Sequence, residues 1–258
     1  MAEKKADAPG DPVGREPYAV ITQVLNEQGN IGPLVDEIFE VLADDPPAEV
    51  IIVNDASTDG TVAEIEARQR RFPQVRLIHH VSSCGKSLCM VTAARYAESS
   101  WLAFMDGDWE NDPKYFPEML ALARARESQG VGLVNGVRQG RKASASKRLA
   151  SRFANKLRRA LLHDNCPDTG CGLKVMRRDL FLALPAFNAL HRFMPALVKQ
   201  QGYDIALLPV VDRQRRAGQS KYTNLRRALQ GLVDLLGVIW LRQRTTRPAP
   251  NTVRETRV

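Results

Sequence analysis

Three acidic side chains, Asp106, Asp108 and Glu110, follow directly on an apolar run, Trp101-Leu-Ala-Phe-Met105. Two carboxylates separated only by Gly107 can turn towards one point, where they repel each other unless a cation sits between them. Clustered hard oxygen ligands of this kind suit Mg2+ or Mn2+. A solvated acidic turn has the same composition, so the surroundings of the acids decide between the two. A short apolar run closed by a turn reads as a buried strand of a parallel sheet, and such sheets bind ligands beyond the carboxyl ends of their strands. Two more polar clusters end apolar runs in the same way: Asn26-Glu27, and Asn54-Asp55-Ala-Ser57-Thr-Asp59. Convergence of all three on one sheet edge would serve a ligand rich in hydroxyls and phosphates, held with a divalent metal.

The elements that must position these clusters alternate along the chain. Strands are expected at Tyr18–Leu25, Val50–Val53, Val75–Ile78, Trp101–Met105 and Val131–Val137. Helices are expected at Ile31–Leu42, Thr61–Phe72, Lys86–Glu98 and about Pro113–Ser128, with proline suited to a first helical turn. This repetition predicts an α/β fold, a mostly parallel sheet flanked by helices. Arg138–Arg152, basic and rich in Ala and Ser, reads as a mobile loop leading into a helix over Leu149–Leu162. That segment could close over a ligand or lie as an amphipathic surface helix.

The chain has 258 residues, 44% hydrophobic and 26% charged, within the range of a soluble globular domain. Its formal net charge of +8 points to an anionic partner. No nucleic-acid module is recognisable, so nucleic acid is not expected. Two familiar nucleotide motifs are missing. Ser83-Cys-Gly-Lys-Ser87 echoes a phosphate-binding loop, but His80 stands where its first glycine belongs, and no Gly-x-Gly-x-x-Gly follows the first strand. The cysteines Cys84, Cys89, Cys166 and Cys171 lack the histidine or second Cys-x-x-Cys pattern of a zinc site and read as reduced thiols.

Residues 1–17 lack a signal peptide's apolar core and read as a disordered tail, as do residues 244–258. No run of eighteen apolar residues is present, so no ordinary membrane-spanning helix is expected. Residues 223–243 instead form an amphipathic helix, with Leu225, Ala228, Leu229, Leu232, Val233, Leu235, Leu236, Ile239 and Trp240 on one face and Val238 and Leu241 straying to the polar one. It suits either a membrane interface, with Trp240 at headgroup depth, or packing on the domain or in a homo-oligomer.

From Tyr18 to Arg242 the chain resembles the family-2 glycosyltransferases of the GT-A fold, in particular the dolichyl- and polyprenyl-phosphate sugar transferases. The segments that carry the resemblance are VLNEQGNI (24–31), VNDASTDGT (53–61), CGKSLCMVTA (84–93) and FMDGDWENDP (104–113). GVR (136–138), DTGCGLKVMRRD (168–179), HRFMPALVKQQGY (191–203) and PVVDRQRRAGQSKY (209–222) point within the superfamily to the polyprenyl-phosphate branch. The chain departs from the pattern at Gln23, where proline is usual, at Leu25, where an aromatic is usual, and at Asn54, which replaces the first of two aspartates.

The resemblance implies a nucleotide-sugar site made by Leu25, Asn26, Glu27, Asp55, Ser57, Asp59, Lys86, Asp106, Gly107 and Asp108. It implies that Asp106, Asp108 and Glu110 hold the metal, Mg2+ or Mn2+, and that Asp108, Arg138, Arg215 and Lys221 carry the catalysis. The activity implied is inverting transfer of a sugar from a UDP- or GDP-linked donor to a polyprenyl phosphate at the cytoplasmic membrane face. Because the sequence has no spanning run and an amphipathic helix instead, the enzyme is expected to be peripheral there. A phosphate monoester needs no general base, because its second pKa of about 6 leaves it largely dianionic at neutral pH. It needs cations, and Arg138, Arg141, Lys147, Arg148, Arg213, Arg215, Arg216 and Lys221 supply them. A transferase with a hydroxyl acceptor and a non-catalytic module binding anionic lipid are the alternatives. A processive synthase would carry Gln-x-x-Arg-Trp, which is absent.

Overall fold

The computed structural model describes residues 16–140, 158–214 and 224–245, with side chains in the last segment described from residue 230 onward. Seven strands form one sheet in the order β3-β2-β1-β4-β6-β5-β7. They are β1 (Tyr18–Val24), β2 (Glu49–Asn54), β3 (Val75–His79), β4 (Trp101–Asp106), β5 (Val131–Arg138), β6 (Lys174–Arg177) and β7 (Asp204–Val210). All neighbours run parallel except β6, which is antiparallel to both β4 and β5. The expected α/β architecture is therefore present, with β6 and β7 added to the five strands expected.

Each central strand is buried on both faces, so alternate side chains feed two cores. Tyr18, Val20 and Val24 of β1 pack with Ile31, Leu34, Val35 and Ile38 of α1 (Ile31–Val41), Ile65 of α2 (Thr61–Gln69) and Phe116, Met119 and Leu120 of α4 (Phe116–Arg126). Ala19 and Ile21 face the other core, with Cys89, Met90 and Ala93 of α3 (Lys86–Tyr96). That second face is completed by α5 (Arg178–Leu182), α6 (Leu190–Gln200) and α7 (Asn224–Arg244). The helix expected from Pro113 is divided: Pro113–Tyr115 is a 3-10 turn whose start is capped by the Asp112 carboxylate, which accepts from the Lys114 N–H at 3.1 Å.

Register brings the strand ends level. Gln23 lies opposite Asp106 between β1 and β4, and Val24 opposite Asn54 between β1 and β2. The three polar clusters thus share one sheet edge. Of the expected loop and helix over 138–162, residues 158–162 are described and helical; the rest lies outside the described residues.

The face assignment for the C-terminal helix needs correction. Val238, expected to stray to the polar side, is 1% exposed, and Leu235 is 7% exposed; both join the second core. Leu232, Val233, Leu236 and Trp240 are exposed instead. At 100° per residue, Leu235 and Val238 lie 60° apart on one side, while Leu232, Leu236 and Trp240 lie within about 80° on another. The helix has two apolar faces rather than one stripe. Leu225, Ala228 and Leu229 lie outside the described side chains.

Candidate functional site

The loops after β1 and β2 are knitted into one unit. Asn26, in left-handed backbone at φ 56°, donates its N–H to Ser57 Oγ at 2.9 Å, and its Oδ1 accepts from the Thr58 N–H at 2.8 Å. The Glu27 N–H donates to Thr61 Oγ1 at 2.8 Å, and the Glu27 carboxylate accepts from Asn30 Nδ2 at 2.8 Å. Asp59 accepts from the N–H and hydroxyl of Thr61 at 3.0 and 2.5 Å, at the start of α2. Ser57 and Asp59 therefore bond protein groups within the edge, and Leu25 stands exposed at its lip.

Asp55 is buried, and its carboxylate organises the next loop. Oδ1 accepts from the Cys84 N–H at 2.7 Å and lies 3.1 Å from His80 Nδ1; Oδ2 accepts from Ser83 Oγ at 2.7 Å and the Gly85 N–H at 2.9 Å. Burial pushes the Asp55 pKa up, but these donors outweigh it and hold it down at about 2. Gly85 takes φ 84°, which glycine adopts without strain, and α3 begins at the next residue. That residue is Lys86, whose ammonium pairs with Asp106 Oδ1. Gln23 Nε2 donates to the same oxygen at 2.9 Å, a contact that the family's usual proline could not make. The Lys86 charge overcomes the effect of burial and keeps the Asp106 pKa at about 2.

Behind Asp106 the chain is packed to the limit. The Asp106 N–H donates to Asn111 Oδ1 at 2.9 Å. A Cβ on Gly172 would lie 2.1 Å from Asn111 Oδ1 and 2.9 Å from Asp106 Oδ2, so only glycine fits against the acids. Gly107 is equally confined, by Val24 at 2.7 Å and the Gln23 carbonyl at 2.8 Å. Asp108 is 8% exposed, and its Oδ1 accepts from the Glu110 N–H at 3.2 Å.

The donor chemistry of Asp106, Asp108 and Glu110 fits Mg2+ or Mn2+: hard carboxylates at a sheet edge, with Asp106 Oδ2 in the space that Gly172 leaves. As the side chains stand, the three do not form a closed three-ligand group, since Asp106 Oδ1 is held by Lys86 and Gln23. Among the described residues, the acids, histidines and cysteines whose ligand atoms do lie within 4.8 Å of one another are Asp55, His80 and Cys89. That trio does not fit a cation. Both Asp55 oxygens already serve two partners each, His80 Nε2 lies 3.0 Å from Thr92 Oγ1, and burial drives the Cys89 thiol far above its ordinary pKa.

On the other side of the acids, Arg138 is fully engaged. Its Nε and Nη2 donate to the two oxygens of Asp168 at 2.7 and 2.8 Å, and its Nη1 lies 3.5 Å from Asp212 Oδ2. The turn carrying Asp168 is held from beneath by Lys174, which is 2% exposed. Lys174 Nζ donates to Asn135 Oδ1 at 2.5 Å and to the carbonyls of Cys171 and Thr169 at 2.8 and 3.2 Å. Burial lowers its pKa to about 8. Arg213, counted among the free cations in the sequence, is instead bonded to Glu37. Arg141, Lys147, Arg148, Arg215, Arg216 and Lys221 lie outside the described residues.

The sequence marks Gln23 only as a departure from the usual proline, and it does not single out Asn111, Lys174, Asp212 or the Ser87–His191 pair, in which Oγ and Nδ1 are 2.8 Å apart. Burial and the nearby Lys86 charge keep His191 well below the usual imidazole range, and so neutral. The histidine lies in the HRFMP segment, which was the available signal.

Comparison with known proteins places this site in context. A family model, Glycosyl transferase family 2, matches residues 19–184. Over 245 residues the chain is 30% identical to the dodecaprenyl-phosphate galacturonate synthase of Rhizobium johnstonii, covering 92% of this chain and 71% of that one. It is 27% identical over 225 residues to the undecaprenyl-phosphate 4-deoxy-4-formamido-L-arabinose transferase of Edwardsiella ictaluri, covering 86% of this chain and 65% of that one. The chain thus spans about two thirds of these relatives' length. Among solved structures, glucosyl-3-phosphoglycerate synthase from Mycobacterium tuberculosis, in complex with Mn2+, UDP-glucose and phosphoglyceric acid, superposes with a TM-score of 0.65 at 19% identity, covering 88% of this chain and 79% of that one. Mannosyl-3-phosphoglycerate synthase from Rubrobacter xylanophilus gives 0.67 at 17%, covering 89% and 74%. These likenesses establish the fold as GT-A.

Proposed function

The chain belongs to glycosyl transferase family 2, and we propose that it moves a sugar, with inversion, from a UDP- or GDP-linked donor to a polyprenyl phosphate at the cytoplasmic face of a membrane. The observation that carries the acceptor is the reach of the alignment with the galacturonate synthase. It covers 92% of this chain, whereas the family match ends at residue 184. The similarity therefore extends into the C-terminal third, where DRQRRAGQSKY (212–222) lies.

In this reading the base and ribose lie against Glu27 and the loop that Asp55 pins. Asp106, Asp108 and Glu110 would hold Mg2+ or Mn2+, which supplies Lewis-acid neutralisation of charge on the departing diphosphate. Lys86 sits on Asp106 and exchanges that carboxylate for the donor diphosphate. Arg215 and Lys221 bind the acceptor phosphate. One phosphate oxygen attacks the anomeric carbon from the face opposite the nucleotide, the new C–O bond forms as the bond to the diphosphate breaks, and the nucleoside diphosphate leaves. The attacking oxygen is already ionised, so no side chain has to take a proton.

One observation favours a hydroxyl acceptor instead. Asp212 accepts from Asn111 Nδ2 at 3.2 Å and burial raises its pKa, so this carboxylate would serve a hydroxyl acceptor as the general base.

The exposed residues Leu232, Val233, Leu236 and Trp240 give α7 a face suited to a membrane interface, and Arg242 and Arg244 follow at its end. Among the described residues no helix is long and apolar enough to cross a membrane.

The donor half of the reading is tested by thermal unfolding with a panel of UDP- and GDP-sugars, with and without Mn2+. At a hundredfold excess over Kd a bound donor adds about 2.7 kcal/mol, or about 5–10 °C. A panel without any metal-dependent shift would overturn it.

A further inference from the structure

Trp109 stands in the middle of the acid cluster with φ 70°, in the left-handed region that a bulky side chain rarely adopts. The turn Asp108–Asn111 depends on it, because Asp108 and Glu110 flank this one strained residue. Something outside the turn must hold it, since conformations of this kind cost about 1–3 kcal/mol and persist only where the surroundings impose them.

Arg213 meets that need. Its guanidinium lies 4.5 Å from the centre of the Trp109 ring. The same group donates to both oxygens of Glu37 on α1, at 2.5 and 2.9 Å, and to the Asn111 carbonyl at 2.8 Å. Its backbone N–H donates to the Glu110 carbonyl at 2.8 Å. One residue therefore touches three consecutive members of the turn: the ring of Trp109 and the carbonyls of Glu110 and Asn111. Asn111 in turn accepts from the Asp106 N–H through its side chain, so the clamp reaches the first acid as well. The planar fork of arginine can bond Glu37 and lie on an indole at once, which lysine cannot reproduce.

We propose that Arg213, anchored by Glu37, is a positioning residue that holds Trp109 left-handed and thereby sets the acid turn for its cation. The proposal rests on the reading that Asp106, Asp108 and Glu110 hold a divalent metal.

The test is a cycle of four proteins: wild type, Arg213→Ala, Trp109→Gly and the double variant. Mn2+ binding is titrated by electron paramagnetic resonance with UDP present, and amide exchange is followed over residues 106–111. Arg213→Ala should weaken Mn2+ binding about tenfold, the equivalent of about 1.4 kcal/mol, and speed exchange in the turn. Glycine accepts φ 70° unaided, so Trp109→Gly should bind Mn2+ within about twofold of wild type, and adding Arg213→Ala should then cost little. Glu37→Gln provides a milder perturbation and should move both readouts in the same direction by less. If wild type binds Mn2+ and Arg213→Ala binds it equally well, or the double variant is as weak as Arg213→Ala, the positioning role is wrong. If wild type binds no Mn2+, the metal reading itself falls and the role goes with it.

Discussion

Replacing Asp55 by Asn should weaken both the fold and the donor site, and the structure sets the size of the effect. The carboxylate is buried, contacts three donors besides His80, and titrates at about 2 instead of the ordinary 3.8. The gap corresponds to about 2 kcal/mol of folding free energy. Because the folded value lies below the unfolded one, this stability is fully present above pH 3.8 and is lost as pH falls towards 2. In Asp55→Asn the amide nitrogen must face either the Cys84 N–H or the Ser83 and Gly85 donors, leaving a buried donor without an acceptor at a cost of about 1–3 kcal/mol. The variant should lose about 2–4 kcal/mol at pH 7, lowering Tm by about 5–15 °C, and its acid limb between pH 4 and 2 should be flatter than wild type. Thermal and urea unfolding across that pH range measure both, and UDP-sugar titration reads the displacement of Lys86. A variant that melts within about 2 °C of wild type, with an unchanged acid limb, would refute the role given to Asp55.

Three further outcomes are expected. Asp108→Asn keeps the acceptor for the Glu110 N–H and so should fold normally, but it should lose at least about a hundredfold in transfer rate; near-normal turnover in the presence of EDTA would contradict the assignment. Gly172→Ala drives a methyl into Asn111 and Asp106; it should cost about 1–3 kcal/mol in urea unfolding and lower the catalytic rate through the displaced acids. Leu236→Glu with Trp240→Glu alters only exposed positions of α7 and should abolish sedimentation with anionic vesicles while leaving Tm unchanged, whereas undiminished sedimentation would assign that face elsewhere.

The parts of this fold that the sequence discloses are those whose signal is local. The first five strands are short apolar runs, and the acids behind β1, β2 and β4 sit where a parallel sheet brings them level. The strand β6 was hidden because its first residue is Lys174, a charge that is buried only because three oxygens surround it. The strand β7 contains Pro209 and alternates in exposure along its length, as edge strands do. Pairings across the molecule left no trace in spacing. Lys86 finds Asp106 across the sheet edge, and Arg213 finds Glu37 at a separation of 176 residues. Arginines that read as free cations were for this reason already spoken for, Arg138 by Asp168 and Arg213 by Glu37.

In the proposed reaction the acceptor brings its own negative charge. Initial rates should be measured for transfer of labelled sugar, from the donor that stabilises the protein, to undecaprenyl phosphate and to undecaprenol side by side. Labelled lipid is expected from the phosphate and none from the alcohol. Comparable transfer to the alcohol, or none to the phosphate with an active donor, would contradict it.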